Sequence, residues 1–215
     1  YNQTANLWIS IATSFTTNAL YGVQDMGDGT AWVVGTAGYL YYGFDGGASW
    51  ETKGVIANND LFGVWFTSAV NGFAVGRNGT FVQTTDASAS WSSIEVDGLS
   101  TQDLYDVRVS GDQIVAVGDQ IVVMSEDGGS TWTSYLYEDE NYTFHSSAIS
   151  DSGTWVVGTQ DDSKSVVLLY EAEEVIVEEV IVEEEVVDVE PPEAEQSNLI
   201  KLACSTEVEV DVNDP

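Results

Sequence analysis

The feature of this sequence that most restricts its fold is a repeat with a period of about 41 residues. Two residue types mark the period. The tryptophans are separated by 42, 41 and 41 residues: Trp8, Trp50, Trp91 and Trp132. The glycines are separated by 41, 42 and 40 residues: Gly35, Gly76, Gly118 and Gly158. A repeat of this length is one supersecondary unit, which must stack against neighbouring copies to bury its apolar surface.

Each period contains four short runs of β-forming residues. The first run opens with "LYGV", "LFGV" or "LYDV", at Leu20, Leu61 and Leu104. Runs such as "GFAVGR" and "TFVQTTD" follow, and a fourth run begins after each tryptophan, as in "WSSIEV". Gly, Asn, Asp and Ser bound these runs, as is typical of turns between strands. Four strands in each period predict the blade of a β-propeller.

A motif centred on an aspartate precedes three of the tryptophans: "GFDGGASW" at 43–50, "TTDASASW" at 84–91 and "SEDGGSTW" at 125–132. The carboxylate can accept hydrogen bonds from backbone N–H groups of the turn, glycine permits a positive φ, and the indole ring can pack between blades. A catalytic group would not be repeated this loosely. We therefore predict a structural role for the motif residues: Asp45, Gly47, Ser49, Trp50, Asp86, Ser88, Ser90, Trp91, Ser125, Asp127, Gly129, Thr131 and Trp132.

These motifs resemble the Asp-box, or bacterial neuraminidase repeat, of sialidases and of many propellers without enzymatic activity. The stretch "LFGVWFTSAVNGFAVGRNGTFVQTTDASASW" is similar to the photosystem II assembly and stability factor family. The resemblance covers about residues 1–170 and implies an all-β propeller, which has six to eight blades in most of this repeat family. The number of repeats in this chain predicts a small propeller of about four blades. It does not imply one activity, because a fold can support many functions.

The resemblance to sialidases does not extend to their substrate site. Sialidases hold a carboxylate with three arginines, whose planar guanidinium groups bind it in a bidentate manner. This chain has two arginines, Arg77 and Arg108, which lie in different parts of their repeats. The resemblance to assembly factors implies partner binding through a basic patch, yet residues 1–170 contain only four basic residues. We predict that the protein is not an enzyme.

Sequence motifs for cofactor chemistry are also missing. Cys and His do not occur at metal-ligand spacing, and no phosphate-binding glycine loop is present. His145 is the only histidine, and we interpret it as an ordinary strand residue. The acidic run at 137–143 offers hard oxygen ligands to Ca²⁺, although its spacing matches no EF-hand loop. The prediction is no cofactor and no metal, with weak Ca²⁺ binding as the alternative.

The formal net charge is −31, from 36 acidic and 5 basic residues. Such a charge repels the phosphate backbone, so nucleic acid is excluded as a partner. No apolar run reaches the roughly 18 residues that a membrane helix requires. We therefore expect neither a nucleic-acid partner nor a membrane span.

Three smaller features bear on the location of the protein, and of these the glycosylation sequons favour export. The chain begins at Tyr1, as expected if a leader is removed or if the product is longer. N-glycosylation sequons begin at Asn2, Asn78 and Asn141. The single cysteine, Cys204, cannot form an internal disulfide and is interpreted as a small buried residue. We expect an extracellular or cell-surface location.

The two ends of the propeller region are complementary. The fourth repeat has three strand runs but no Asp-box, whereas the N-terminal run "LWISIAT" aligns with the strand that follows each motif tryptophan. We predict that this N-terminal strand completes the fourth blade and closes a four-bladed ring. An open arc and a larger ring shared by two chains are the alternatives.

Residues 171–215 form an acidic C-terminal extension with 16 acidic residues and one basic residue. Its valine and isoleucine clusters have strand propensity and need a surface to pack on. Strand addition to a neighbouring sheet would provide that surface. The predicted partner-binding residues are Val175, Ile176, Val177, Val180, Ile181 and Val182.

Two function classes remain. The first is a non-catalytic extracellular structural protein that assembles with copies of itself or with other surface proteins, including as a filament, through its C-terminal strands. The alternative is a soluble propeller module, such as an assembly factor, that recognises a protein or a glycan. From the sequence we favour the structural protein.

Overall fold

The computed structural model describes residues 16–137, 141–161 and 163–170, together with the backbone of 203–205. Within these residues the chain forms four antiparallel sheets of four strands each. Sheet 1 contains β1 (Leu20–Asp25), β2 (Ala31–Gly35), β3 (Tyr39–Phe44) and β4 (Ser49–Val55). Sheet 2 contains β5 (Leu61–Phe66), β6 (Gly72–Gly76), β7 (Phe81–Thr84) and β8 (Ser92–Ser93). Sheet 3 contains β9 (Leu104–Ser110), β10 (Gln113–Gly118), β11 (Ile121–Ser125) and β12 (Thr133–Leu136). Sheet 4 contains β13 (Tyr142–Ser150), β14 (Gly153–Gln160), β15 (Lys164–Tyr170) and β16 (Ala203–Ser205).

The sheets follow one another side by side. The first strand of each sheet contacts the first strand of the next, in the order β1, β5, β9 and β13. In addition, β2 contacts β5, β6 contacts β9 and β10 contacts β13, so each sheet packs face to face on its successor. This arrangement confirms the predicted all-β class and the predicted four blades of a propeller-like fold.

The core lies between the sheets, and the central ones are buried on both faces. In sheet 3, one set of alternate residues packs towards sheet 2: Ile114, Ala116, Ile121 and Val123. The other set packs towards sheet 4: Val115, Val117, Val122 and Met124. Because successive side chains of a strand point to opposite faces, a strand between two neighbours must be apolar throughout. The runs "QIVAVG" and "IVVMS" have this composition.

The fourth sheet is completed differently from the prediction. Its outer strand β16 pairs with β15, with Ala203 opposite Val167. A strand edge accepts one partner at a given position, so the N-terminal strand cannot also pair there. Residues 1–14, which carry the predicted closing strand, lie outside the described residues. Among the described strands, β13 and β1 do not share a contact like those that join neighbouring sheets.

The first strand of every sheet has a β-bulge near its start. In sheet 1 the pairing with β2 shifts between Leu20 and Gly22, so Tyr21 is the extra residue. The same shift leaves one extra residue in each of the other sheets: Phe62, Tyr105 and His145. At a bulge the extra residue has no partner on the adjacent strand. Its side chain therefore leaves the face of the sheet on which the side chains of the flanking residues lie.

The repeat glycines lie opposite these bulges and make room for them. A Cβ atom on Gly118 would lie 1.9 Å from the carbonyl oxygen of Asp103, the residue before β9. Gly35, Gly76 and Gly158 face the equivalent carbonyl oxygens at 2.0, 2.0 and 2.2 Å. No side chain fits at such distances, so the periodic glycines seen in the sequence are explained by close backbone contact.

The Asp-box turns connect the third and fourth strands of sheets 1 to 3. In sheet 3, Asp127 accepts hydrogen bonds from the backbone N–H of Thr131 at 2.8 Å and from its hydroxyl at 2.6 Å. Ser125 donates to Asp127 at 2.9 Å and accepts from the N–H of Gly129 at 2.8 Å. These bonds join both ends of the turn, and Trp132 packs against the core between sheets 2 and 3.

The second Asp-box forms the same bonds without glycine. Asp86 accepts from the N–H of Ser90 at 2.9 Å and from its hydroxyl at 2.6 Å, while Thr84 takes the place of Ser125. Ala87 and Ser88 adopt positive φ angles of 59° and 67°. The hydrogen bonds therefore hold a left-handed turn that glycine would adopt more readily.

The first Asp-box departs from the other two. Gly43 stands where they have a hydroxyl residue, and Asp45 itself has a φ of 55°. The Asp45 carboxylate is 3.5 Å from the hydroxyl of Ser49, and the indole N–H of Trp50 donates to the carbonyl of Gly47 at 2.8 Å.

We expect Gly118→Ala to lower the free energy of unfolding by about 3 kcal/mol or more, because its Cβ must displace the backbone at Asp103. Gly111→Ala is the matched control. No atom lies within 4 Å of a Cβ at Gly111, and its φ of 58° should cost only about 1 kcal/mol. Urea denaturation of both variants measures the difference, and equal losses would contradict the steric explanation.

The hydrogen bonds of Thr131 and Ser125 lower the pKa of Asp127 to about 2 from its ordinary 3.8. A lowered pKa means that the carboxylate stabilises the folded state above about pH 4 and loses this effect as the pH falls towards 2. We expect the stability difference between the wild type and Asp127→Asn to shrink over this range. In Thr131→Val, which removes the main cause of the shift, the pH-dependent loss should be smaller and should be complete at a higher pH. Thermal melts between pH 2 and 6 test this, and a difference that does not change with pH would refute it.

Candidate functional site

The four bulge residues form a row of rings across the start of the inner strands, here called the aromatic arc: Tyr21, Phe62, Tyr105 and His145. The ring centroids of Tyr21 and Phe62 are 5.4 Å apart, and those of Phe62 and Tyr105 are 5.6 Å apart. Tyr105 and His145 are 6.4 Å apart. One residue from each blade therefore contributes to a single continuous surface.

The arc is accessible at both of its ends. Tyr21 is 50% exposed, and His145 is also exposed. Phe62 and Tyr105, in the middle, are half-buried between their neighbours. Exposed aromatic rings supported by buried ones are typical of surfaces that bind proteins, because they offer a large contact area with little conformational freedom to lose.

Arg77 adds a positive charge beside the arc. Its guanidinium lies 5.8 Å from the ring centroid of Phe62, within the range of a cation–π contact. The guanidinium also lies 3.3 Å from the carboxylate of Asp60 and 3.8 Å from that of Asp103. The Arg77 side chain is 51% exposed, so it can contact a partner while it remains paired.

Asp60 and Asp103 fix the loops around the arc. Asp60 accepts a hydrogen bond from the N–H of Ala37, in the preceding repeat, at 2.8 Å. Asp103 accepts one from the N–H of Asn78 in the same manner at 2.9 Å. Each carboxylate joins one blade to the next at the level of the rings, so the arc is held on a rigid frame.

The polar atoms of Tyr105 and His145 lie within hydrogen-bonding distance of side chains in the third and fourth repeats. The Tyr105 hydroxyl donates to Asp119 at 3.0 Å, and the Thr143 hydroxyl donates to the other oxygen of that carboxylate at 3.3 Å. Burial, followed by the charge of Asp119, raises the pKa of Tyr105 above its usual range, so the hydroxyl remains a donor. Nε2 of His145 lies 3.4 Å from the hydroxyl of Thr159.

A partly buried ion pair lies further along the inner strands. Arg108 contacts Asp106 at 2.7 Å and lies 4.9 Å from the ring centroid of Trp65 in sheet 2. The other Asp106 oxygen accepts hydrogen bonds from Ser146 and from the N–H and hydroxyl of Ser147 in sheet 4. This pair links three sheets, and we assign it a structural role because both carboxylate oxygens are occupied.

A cleft of about 600 Å³ opens between sheets 1 and 2 at the same end of the molecule as the arc. Asn59 and Asn78 line it together with Trp91 and Leu99. The Asn59 side chain donates to the hydroxyl of Thr80 at 3.0 Å. Asn78 follows Arg77, whose guanidinium lies beside the arc, and it also lines the cleft.

The predicted Asp-box residues lie away from this surface. The strand register places the arc where β1 and β2 pair at Leu20 and Gly35, and the Asp-box turn beside the opposite end, where Ala31 pairs with Gly43. The predicted structural residues and the candidate site are therefore at different ends of the sheets.

The other predicted site residues fall in three places. Asn78 is exposed beside the arc, in a tight turn with a φ of 53°. The Asn141 side-chain amide donates to Asp161 at 3.0 Å. Asn2 and the predicted partner-binding residues of the C-terminal extension, at 175–182, lie outside the described residues. Their roles stay predictions.

The sequence contains a signal for the arc that lies outside the Asp-box motifs. The residue after the first apolar position of each repeat is Tyr21, Phe62, Tyr105 or His145. His145 lies within β13, as the sequence predicts for a strand residue, and it is the extra residue of the bulge in that strand. Aromatic residues at that position fit a strand equally well, so only the shifted pairing distinguishes them.

Two kinds of site are absent from the part of the chain that the structure describes. It contains no group of three or more His, Cys, Asp or Glu side chains arranged to hold a metal ion. It also contains no helix with the length and hydropathy needed to cross a membrane.

Comparison with known structures shows the same fold in longer proteins. The structure of YCF48 bound to D1 peptide is 20% identical in sequence, with a TM-score of 0.58, and the match covers 74% of this chain and 53% of that one. YCF48 from Cyanidioschyzon merolae is 17% identical, with a TM-score of 0.57 and coverage of 76% and 56%. An ancestral GH74 enzyme is 14% identical, with a TM-score of 0.55 and coverage of 73% and 28%. The chain thus spans about half the length of the two YCF48 structures.

One of two sequence comparisons identifies a family for the chain. No curated protein matches the chain. A family model described as photosynthesis system II assembly factor YCF48 matches residues 2–97 and 55–140, which together make up more than half of the chain. The chain therefore belongs to the family of the photosynthesis system II assembly factor YCF48.

Proposed function

We propose that the protein is a non-catalytic binding module that holds an extended segment of a protein partner across the aromatic arc. The observation that carries this proposal is the alignment of one bulged ring from each blade in a single row. Each of these side chains lies on a bulge outside the sheet pairing, and the rings at both ends of the row, Tyr21 and His145, are exposed.

Membership of the YCF48 family supports the proposal, because the family is described as an assembly factor and one relative was determined bound to D1 peptide. These findings favour the second function class over the extracellular, filament-forming structural protein that we favoured from the sequence. The likeness to a GH74 enzyme extends to the fold alone.

The dimensions of the arc suit an extended peptide. Neighbouring rings are 5.4 to 6.4 Å apart. Alternate residues of a strand are roughly 6.6 Å apart and point to the same side. A segment that crosses the arc can therefore place every second side chain on a ring, while its other side chains face the solvent or the cleft.

Charge favours a neutral or basic segment. The net charge is −31, and the acidic residues Asp60, Asp103 and Asp119 surround the arc. The one arginine beside the arc, Arg77, is already paired with two of these carboxylates. A cationic side chain would gain attraction from the ring faces and from this field, whereas an acidic segment would be repelled.

We expect basic or neutral peptides with alternating apolar residues to bind, and acidic peptides of the same length to bind at least about tenfold more weakly. Fluorescence anisotropy with a charge-varied panel of 15-residue peptides, together with the D1 peptide, measures this. The double variant Tyr21→Ala/Phe62→Ala should lose at least about tenfold in affinity for the best peptide.

Trp155→Ala is the matched control, because Trp155 is an exposed ring that lies on sheet 4 away from the arc. It should bind the peptide as the wild type does. If the double variant bound normally while its melting temperature was unchanged, the arc would not be the binding surface. Binding that is strongest for acidic peptides would contradict the assigned charge preference.

A further inference from the structure

The cleft of about 600 Å³ lies between sheets 1 and 2, which are consecutive in the chain and pack on each other. One wall is formed by the end of β4 and the loop that leads to β5. The other wall is formed by the start of β7, by β8 and by the loop that follows β8. The cleft is therefore an opening between two neighbouring sheets, and its volume lies within the roughly 300 to 1,000 Å³ of small-molecule sites.

The repeat shows that this opening departs from the packing between sheets 2 and 3. The second and third Asp-boxes are 41 residues apart, and the same spacing relates Thr80 to Ile121 and Glu95 to Leu136. Ile121 is fully buried in the core between sheets 2 and 3. Leu136 packs against Gly98, where a Cβ atom would lie 2.6 Å from the leucine side chain. Thr80 and Glu95 instead line the cleft, so two positions that are apolar in one repeat are polar in the other.

This exchange points to a function for the cleft. Apolar residues at both positions would continue the packing that the next repeat uses, whereas a threonine and a glutamate add little to a core. A local departure from the pattern of the fold is expected at functional sites, because the residues there are selected for a task other than packing.

The polar groups of the cleft are mainly neutral amides and hydroxyls. The Asn59 side chain donates to the Thr80 hydroxyl at 3.0 Å, and that hydroxyl donates to the carbonyl oxygen of Arg77 at 2.6 Å. An amide group both donates and accepts, so the lining can bond with a ligand that does the same. The amide and hydroxyl residues of the lining are Asn58, Asn59, Asn78, Thr80, Ser93 and Ser100.

The charge of the cleft argues against an anionic ligand. Among the described residues that line it there is no Lys, Arg or His, and Glu95 is the one charged side chain. An anion would meet this carboxylate and the net charge of −31 without a compensating cation. The acidic extension at 171–215, with 16 acidic residues and one basic residue, is an unfavourable occupant for the same reason.

Apolar side chains lie among the polar groups. Val55 is 56% exposed, and Leu99 and Trp91 are partly buried in the lining. The indole N–H of Trp91 donates to the Ser88 hydroxyl at 3.1 Å, so the ring offers the ligand mainly apolar contact. A wholly apolar ligand would bury the amides without hydrogen-bond partners, which is costly. The lining therefore suits a molecule with hydroxyl groups on its edges and C–H groups on its faces, as sugar rings have.

We propose that the cleft between sheets 1 and 2 binds a neutral carbohydrate, at a site separate from the peptide-binding arc. Amides and hydroxyls lie on both walls, with Asn58 on one and Ser93 on the other, as a ring with hydroxyls around its edge requires. An extended peptide presents its backbone hydrogen-bonding groups along a strand edge and needs pockets for alternate side chains. The mixed lining of the cleft fits the sugar better.

Calorimetric titration of the intact chain tests the proposal with maltotriose, cellotriose and triacetylchitotriose, each from about 0.01 to 10 mM. At least one of these neutral trisaccharides should bind, and trigalacturonic acid, which is anionic, should bind at least about tenfold more weakly. Thr80→Ile places the residue of the third repeat in the cleft. It should weaken sugar binding at least about tenfold, because it removes a hydroxyl and fills space.

Thr85→Ile is the matched control, since Thr85 is an exposed threonine in the second Asp-box turn, away from the cleft lining. It makes the same substitution and should bind the sugar as the wild type does. Melting temperatures show whether each variant is folded. Asn58→Ala replaces Thr80→Ile if that variant unfolds, because Asn58 is exposed and its truncation leaves the core unchanged.

Sugar binding that Thr80→Ile or Asn58→Ala weakens and Thr85→Ile does not would support the proposal. It would be overturned if none of the three neutral trisaccharides bound, or if the folded cleft variants bound them normally. Loss of peptide binding in the cleft variants, without any sugar binding, would assign the cleft to the peptide site instead. The variant Tyr21→Ala/Phe62→Ala should bind sugar normally, so the failure of one proposal is distinguishable from the failure of the other.

Discussion

The structure depends on one close contact that is repeated in every blade. A glycine of the second strand lies against the carbonyl oxygen of the residue two positions before the bulged residue of the first strand, where a Cβ atom would come within 1.9 to 2.2 Å. The N–H of the residue after the glycine donates to that oxygen in three of the sheets, for example from Arg77 to Asp60 at 2.9 Å. This contact fixes the register at the start of each inner strand and produces the bulge that follows it.

The bulge in each blade places one side chain outside the core, and these side chains together form a surface. The residues on either side of it remain in the sheet and keep the core intact: Leu61, Leu104 and Phe144 are fully buried. The extra residue between paired positions is released from the core and points to the end of the molecule. Because every blade repeats the geometry, the released side chains meet as one arc, which a single blade could not form.

The two ends of each sheet are stabilised by different kinds of hydrogen bond. The Asp-box turns hold the third and fourth strands with short bonds between a carboxylate and the turn, as at Asp86 and Asp127. The arc end is held by carboxylates that connect one blade to the next, as at Asp60 and Asp103. The turn bonds act within a blade and the others act between blades, so the loops around the arc are fixed by the stacking of the sheets. A binding surface gains from this arrangement, because its parts are already positioned before a partner arrives.

The sequence by itself determined the repeat, the four strands of each blade and the turn chemistry of the Asp-boxes, because periodicity and local hydrogen-bonding groups are properties of short segments. It also contained the glycine period, but the reason for the glycines is a contact between two strands that are separated in the chain. Only the tertiary structure decided that Tyr21 and His145 belong to one surface, that β16 pairs with β15, and that Val157 and Val167 of sheet 4 are exposed while their counterparts in sheet 3 are buried. A shift of one residue in pairing changes the direction of a side chain, and whether a face is covered depends on what packs against it, so neither can be derived from the order of residues in a single strand.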